Sequence, residues 1–429
     1  MPPAIRAAAD RSPARFCFSV PPDLPTLCTP MTPAATVDSF RLRDLGQKAI
    51  AGGTLTPDEA LSLYRGLDQP SLGLLANDVR MRLNPPQPDG SVRVTYIVDR
   101  NLNPTNVCIT DCGFCAFYRS PNDAEAYVLS REVIYQKVDD LVAKGGLQLL
   151  LQGGHHPYLK TDWYAELFRD LKQRYPQVWI HGMSPPEITH VARLEKRSVR
   201  EVLVDLKAAG LDSIPGGGAE ILVERVRKII APKKASTEEW LEVFRQWAAL
   251  GGHGSATMMF GHVETDAERI EHMTRIRELQ KETGGVFTAF IPWTFQPDHT
   301  PKGTAFLAER GGMKATVAEY LRTLSLSRLY LQNVQHVQSS FVTQGMKVCQ
   351  IGLSMGADDF GSAMLEENVV SSAGCTHPTS IPEIERHIKD AGFVPQRRNM
   401  MYEPVATPAT DKFGNPAGQK KVVTSQVQA

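Results

Sequence analysis

The sequence predicts an α/β protein, a (β/α)8 TIM-type barrel behind an N-terminal helical preface, and three observations carry that expectation. Eight short apolar stretches rich in β-branched and aromatic residues recur at spacings of roughly 30 to 40 residues, as strands do when a helix returns the chain between them. Helix start and stop signals punctuate the intervening segments. The strand candidates are apolar on both faces, as expected where helices cover the outside of a parallel sheet and packed side chains fill the inside. The 429 residues are 42% hydrophobic and 22% charged, enough apolar material for a large core and too much for a chain disordered throughout. Lys plus Arg and Asp plus Glu stand at 47 each, so the molecule has no net field with which to attract nucleic acid or an anionic membrane. No run approaches the roughly 18 apolar residues of a membrane span.

In chain order, residues 1–35 are dense in Pro, Ala and Arg without periodicity and read as a disordered extension. Arg6, Arg11 and Arg15 ahead of the apolar residues 16–20 mimic an export signal, but Pro21 and Pro22 end the run too early, so the protein is expected in the cytoplasm. Met31 is an alternative start. A helical preface follows over 36–90, where Thr56-Pro57-Asp58-Glu59 forms a capping box with Pro at the first helical position. The barrel is expected over 91–402, with strands at 92–98, 147–151, 178–180, 211–214, 256–260, 286–291, 334–337 and, most weakly, 351–355. Between them Ser130, Ser236 with Glu239, and Thr265 with Glu268 start helices that stop at Gly145-Gly146, Gly251-Gly252 and Gly284-Gly285. Residues 403–429 carry no core pattern and read as a frayed tail.

Chemistry in such barrels sits at the carboxyl ends of strands. Soon after the first strand comes Cys108-Ile109-Thr110-Asp111-Cys112-Gly113-Phe114-Cys115, a C-x3-C-x2-C spacing, while Cys17, Cys28, Cys349 and Cys375 are scattered singly. Structural zinc usually takes four ligands in two separated pairs, and no second pair exists here. A zinc knuckle completed by His155, or a merely buried trio, are the bland alternatives. Three thiolates this close suit one inorganic cluster. A 4Fe-4S cluster held by three cysteines keeps one iron open, and that vacancy suits chelation by the amino and carboxylate groups of S-adenosyl-L-methionine.

This motif, with Phe114 before the last cysteine and a barrel around it, resembles the radical S-adenosylmethionine superfamily. The runs 94–101, 103–119, 152–155, 212–222, 258–265 and 287–297 look more closely like its menaquinone branch, the dehypoxanthine futalosine cyclases. The resemblance implies Cys108, Cys112 and Cys115 as metal ligands. It also implies S-adenosylmethionine contacts from Phe114 and from the second-strand motif Gln152-Gly153-Gly154. Ser184 and Glu187, after the third strand, suit ribose hydroxyls as well as they suit a helix cap. His155 and the Asp358/Asp359 pair are candidate proton acceptors. Arg119, Arg225 and Arg227 are conceivable carboxylate partners, and Trp293 either stacks on a substrate ring or packs beneath its loop. The implied substrate is a small molecule, dehypoxanthine futalosine, and the implied electron donor a flavodoxin or ferredoxin. Aminofutalosine synthase, the deazaflavin FO synthase subunit and a non-catalytic iron-sulfur electron carrier are the alternative functions.

Overall fold

Thr56 opens the second helix of the computed structural model, which describes residues 39–406. Its hydroxyl accepts from the Glu59 N–H at 3.2 Å, and its own N–H donates to the Glu59 carboxylate at 2.8 Å. That helix, Pro57–Gly66, lies between Ser39–Ile50 and Gln69–Leu83. The preface is fastened to the barrel: Arg269 donates to the Tyr64 hydroxyl at 3.0 Å, and that hydroxyl meets Thr323 at 3.2 Å. The extension, most of the tail, Cys17 and Cys28 fall outside the described residues.

Among the described residues ten strands follow: β1 (Arg93–Ile97), β2 (Asp99–Leu102), β3 (Gln148–Leu151), β4 (Trp179–Gly182), β5 (Ser213–Ile214), β6 (His253–Phe260), β7 (Phe287–Thr294), β8 (His336–Val337), β9 (Asp359–Ser362) and β10 (Val394–Arg397). β2 to β8 are parallel neighbours in sequence order. A parallel bridge from Gln338 to Asp359 carries the ladder on to β9, and β9 pairs with β1, which runs into β2 through Val98 alone. The sheet therefore curls back onto its first strand. Helices Arg131–Ala143, Thr237–Ala249 and Asp266–Glu282 start at the expected caps Ser130, Ser236 and Thr265. Their glycine stops work as helix terminators should: Gly145, Gly251 and Gly284 have φ near +70°, which other residues rarely adopt.

Two elements differ from expectation. Residues 351–355 are not the eighth strand; they end the helix Met346–Leu353 and the turn after it, and β9 takes that place. The run was apolar because one helix face packs inward, with Cys349 and Leu353 fully buried. The other is β10: no strand is expected at 394–397, yet it pairs with β1, and beyond it the half-buried Tyr402 is followed by Val405, whose N–H donates to the Arg397 carbonyl at 2.9 Å. Among the described residues no helix is long and apolar enough to cross a membrane.

Candidate active site

The cysteine loop leaves β2 and is shaped by its own hydrogen bonds. The Cys108 N–H donates to the Arg119 carbonyl at 2.9 Å and the Gly113 N–H to the Ile230 carbonyl at 2.8 Å. The Cys108 and Cys112 sulfurs lie 2.9 and 3.8 Å from the Thr110 hydroxyl. Asp111 turns the loop between them at φ +40°, and Met183 and Glu220, which follow other strand ends, also hold positive φ (+52° and +41°). Non-glycine residues in that region are held there by their surroundings and concentrate at functional rims. Burial pushes the Cys112 thiol up to about 12 and raises that of Cys115. Ligation to a strongly charged centre is what would strip such thiols of their protons.

Among the described residues no three His, Cys, Asp or Glu side chains meet closely enough to grip a single ion. Three thiols spread along one loop suit the larger body of a cluster, and the donor set, all sulfur, fits iron-sulfur rather than magnesium or calcium.

Gln152, Gly153 and Gly154 leave β3 directly beneath this loop. The Gly154 N–H donates to the Thr105 carbonyl at 3.0 Å. A Cβ on Gly154 would run into the Val107 carbonyl and sit 3.0 Å from the Cys108 Cβ. Gly154→Ala is therefore expected to displace the loop, lowering stability by about 1–3 kcal/mol and reducing iron incorporation, as read by thermal unfolding and iron content.

Ser184 and Glu187 form the helix cap. The Ser184 hydroxyl and N–H donate to the Glu187 carboxylate at 2.6 and 2.7 Å, and its other oxygen accepts from the Gly153 N–H at 2.9 Å. Glu187 thus ties the helix after β4 to the glycines after β3. Beside the cysteines lies an unforeseen half-buried cation, Lys234, 2.9 Å from Glu220 and 5.2 Å from the centre of the Phe114 ring. Burial opposes its charge, and the Glu220 carboxylate raises its pKa in spite of that.

The barrel encloses a cavity of about 260 Å³, reached by Asp99, Gln148, Gln152, His181, Trp293 and Arg398. The expected acceptors do not gather in it. His155 is buried behind the cysteine loop, stacked on His190 at 5.0 Å, and burial lowers its pKa well below the ordinary imidazole range. Asp358, just before β9, and Asp359, its first residue, point opposite ways. Asp358 meets Arg328 and His336, and Asp359 meets Arg398 at 2.6 Å and the Thr95 hydroxyl at 2.6 Å. Arg119 and Arg225 pair with Glu125 and Glu268, and Arg227 is spent on the Gly218, Ala219 and Ala235 carbonyls. The arginine that reaches the cavity is Arg398, supplied by the segment after β10.

A model of the radical SAM superfamily matches residues 102–276, and one of the CofH/MqnC C-terminal region matches 284–411. The chain is 45% identical over 364 residues to a cyclic dehypoxanthine futalosine synthase of Streptomyces coelicolor, covering 84% of this chain and 88% of that one. It is 38% identical over 370 residues to a 5-amino-6-(D-ribitylamino)uracil–L-tyrosine 4-hydroxyphenyl transferase of Methanothermobacter thermautotrophicus, covering 85% and 98%. The fold is shared with methylornithine synthase, at a TM-score of 0.62 and 18% identity over 82% of this chain and 97% of that one. Barrel, cysteine loop and these matches together define a radical SAM enzyme, a class that works with a 4Fe-4S cluster and S-adenosylmethionine. Within that class the chain belongs to the CofH/MqnC family.

Proposed function

We propose that this enzyme cyclises dehypoxanthine futalosine, joining the ribose C4′ to the neighbouring arene. The observation that supports the reading most is the span of one short segment. Gln152 forms part of the cavity wall, and Gly154, two residues on, lies against Cys108. A substrate in the cavity is thereby held next to the place where Cys108, Cys112 and Cys115 would hold the cluster. Bound there, cluster and S-adenosylmethionine supply a 5′-deoxyadenosyl radical able to take a hydrogen from the ribose.

The chain's own part is positioning and exclusion of water. Gln152, Gly153 and Gly154, with Phe114 across the loop, would line the S-adenosylmethionine site, glycine letting backbone groups approach the ligand closely. Ser184 and Glu187 would act at one remove, by fixing the Gly153 N–H. Trp293 offers the cavity a flat apolar face for the arene. Holding both reacting carbons within one enclosed space makes ring closure an intramolecular step of high effective molarity. The exposed Ile109 edge of the cysteine loop is where an electron carrier such as flavodoxin or ferredoxin would approach.

Substrate deuterated only at C4′ is expected to pass its label into 5′-deoxyadenosine and to give a product lighter than the unlabelled substrate by two hydrogens, both read by mass spectrometry. Label retained in the product while 5′-deoxyadenosine accumulates would mean abstraction elsewhere. The relatives named as tyrosine 4-hydroxyphenyl transferases support a second reading, transfer from tyrosine to a ribityl-bearing uracil. Turnover of that pair instead of the futalosine would decide for it.

A further inference from the structure

At the cavity wall Asp99 and Gln148 stand opposite each other, paired in register across β2 and β3. Both are 4% exposed and both line the cavity. The Gln148 amide donates to one Asp99 oxygen at 3.1 Å, and the Ser362 hydroxyl donates to the other. Those donors fix the carboxylate without satisfying it, since two carboxylate oxygens offer about four acceptor sites. The Gln148 carbonyl oxygen, Oε1, is buried with no hydrogen-bond partner. The nearby cation, Arg398, is turned to Asp359, meeting its two oxygens at 2.6 and 3.0 Å. Burial accordingly pushes the Asp99 carboxyl up to about 6.

A buried carbonyl and a partly served carboxylate, side by side, make a pure acceptor surface. Leaving such groups unpaired costs free energy, and only a ligand that brings donors of its own relieves that cost. An anionic group is repelled there, and an apolar one leaves both acceptors stranded. Neighbouring hydroxyl groups on a sugar present two O–H donors at a spacing suited to adjacent acceptors. We propose that Asp99 and Gln148 form the receptor for the ribose hydroxyls of the substrate, the unpartnered Gln148 carbonyl accepting the 2-hydroxyl and the Asp99 carboxylate its neighbour on the ring, with Ser362 holding the carboxylate in place. This assignment rests on the substrate reading above. It also orients the sugar: hydroxyls against β2 and β3 turn the opposite side of the ring toward Trp293.

The test is anaerobic calorimetry on the full chain carrying its cluster, with S-adenosylmethionine left out so that binding is read without turnover. Dehypoxanthine futalosine is compared with its analogue lacking the ribose 2-hydroxyl. The wild type is expected to bind the analogue about tenfold or more weakly, as when a buried acceptor is left unpaired. Gln148→Met keeps the side chain's bulk and removes its carbonyl. It is expected to weaken binding of the full substrate by a similar factor and to discriminate the two ligands by less than about twofold. Equal binding of both ligands by the wild type overturns the proposal without recourse to any variant, as does a folded Gln148→Met that still discriminates tenfold. A wild type that neither binds nor cyclises dehypoxanthine futalosine overturns the substrate reading itself, and this assignment with it. A wild type that cyclises the substrate yet is indifferent to the hydroxyl overturns this assignment alone.

Discussion

Cys108→Ala, Cys112→Ala and Cys115→Ala are each expected to leave the anaerobically reconstituted chain colourless and without detectable cleavage of S-adenosylmethionine. The parent should be brown, with about four iron per chain. The effect should be all-or-none because each cysteine is one of three anchors on a single short loop, and no other described cysteine lies near it. Cys349 is fully buried and bonded to the Ser339 carbonyl at 3.4 Å, and Cys375 sits against the Val342 carbonyl at 3.4 Å. Cys349→Ala and Cys375→Ala should therefore keep both colour and iron, the first with some loss of stability from the small void it leaves. Iron content, visible absorption and 5′-deoxyadenosine release are the three readouts. If Cys375→Ala lost iron as fully as Cys112→Ala, the three-cysteine assignment would be wrong.

The largest loss of stability should follow Asp358→Asn. Arg328 is fully buried and donates to one Asp358 oxygen, which also accepts from the Val337 N–H at 2.8 Å, while the other oxygen lies 2.5 Å from His336 Nδ1. The substitution strands the Arg328 charge in the interior, a cost of about 3–5 kcal/mol when one member of a buried pair is removed. Removing both partners with Arg328→Met should cost less than the sum of the single changes. The same site sets an acid limit. Burial alone would raise the Asp358 carboxyl, but His336, Arg328 and the Val337 N–H outweigh it and hold its pKa at about 2, below the ordinary 3.8. A carboxyl depressed on folding contributes stability that is complete above its unfolded pKa and is lost as pH falls through the folded one. Urea unfolding of the parent should therefore weaken steadily from about pH 4 to pH 2, and the Asp358→Asn variant should lack that part of the slope. A loss under about 1 kcal/mol would show that Arg328 finds another partner.

Where sequence and structure agree, local chemistry decides the outcome. Ser130, Ser236 and Thr265 cap helices through bonds three residues long, and the cysteine loop is contiguous, so both are visible in the sequence alone. β9 was missed because Asp359-Phe360-Gly361-Ser362 lacks strand character. Its polar residues are there to face partners distant in sequence, Thr95, Asp99 and Arg398. Asp99 went unnoticed as a cavity residue for a similar reason. An aspartate inside a strand suggests a surface, and its burial follows only from Gln148 and Ser362 arriving from elsewhere in the chain. Asp358 and Asp359 are adjacent in sequence but not in space: the extended backbone turns one carboxylate to Arg328 and His336 and the other to Arg398 and Thr95. The position of His155 behind the cysteine loop likewise depends on His190, a contact no local pattern announces.

β1 takes both of its parallel neighbours, β9 and β10, from the last part of the chain. During synthesis the first strand of the barrel is thus made early and must wait, its edges open, until residue 397 has left the ribosome. Parallel pairing over such distances in sequence is slow, because the loop must close before any contact rewards it. Meanwhile an apolar edge that accepts any passing strand is an invitation to aggregation. The cysteine loop, joined to that same strand through β2, shares the wait. A nascent chain halted before β9 would carry all three cysteines of the loop yet no closed barrel to shelter them.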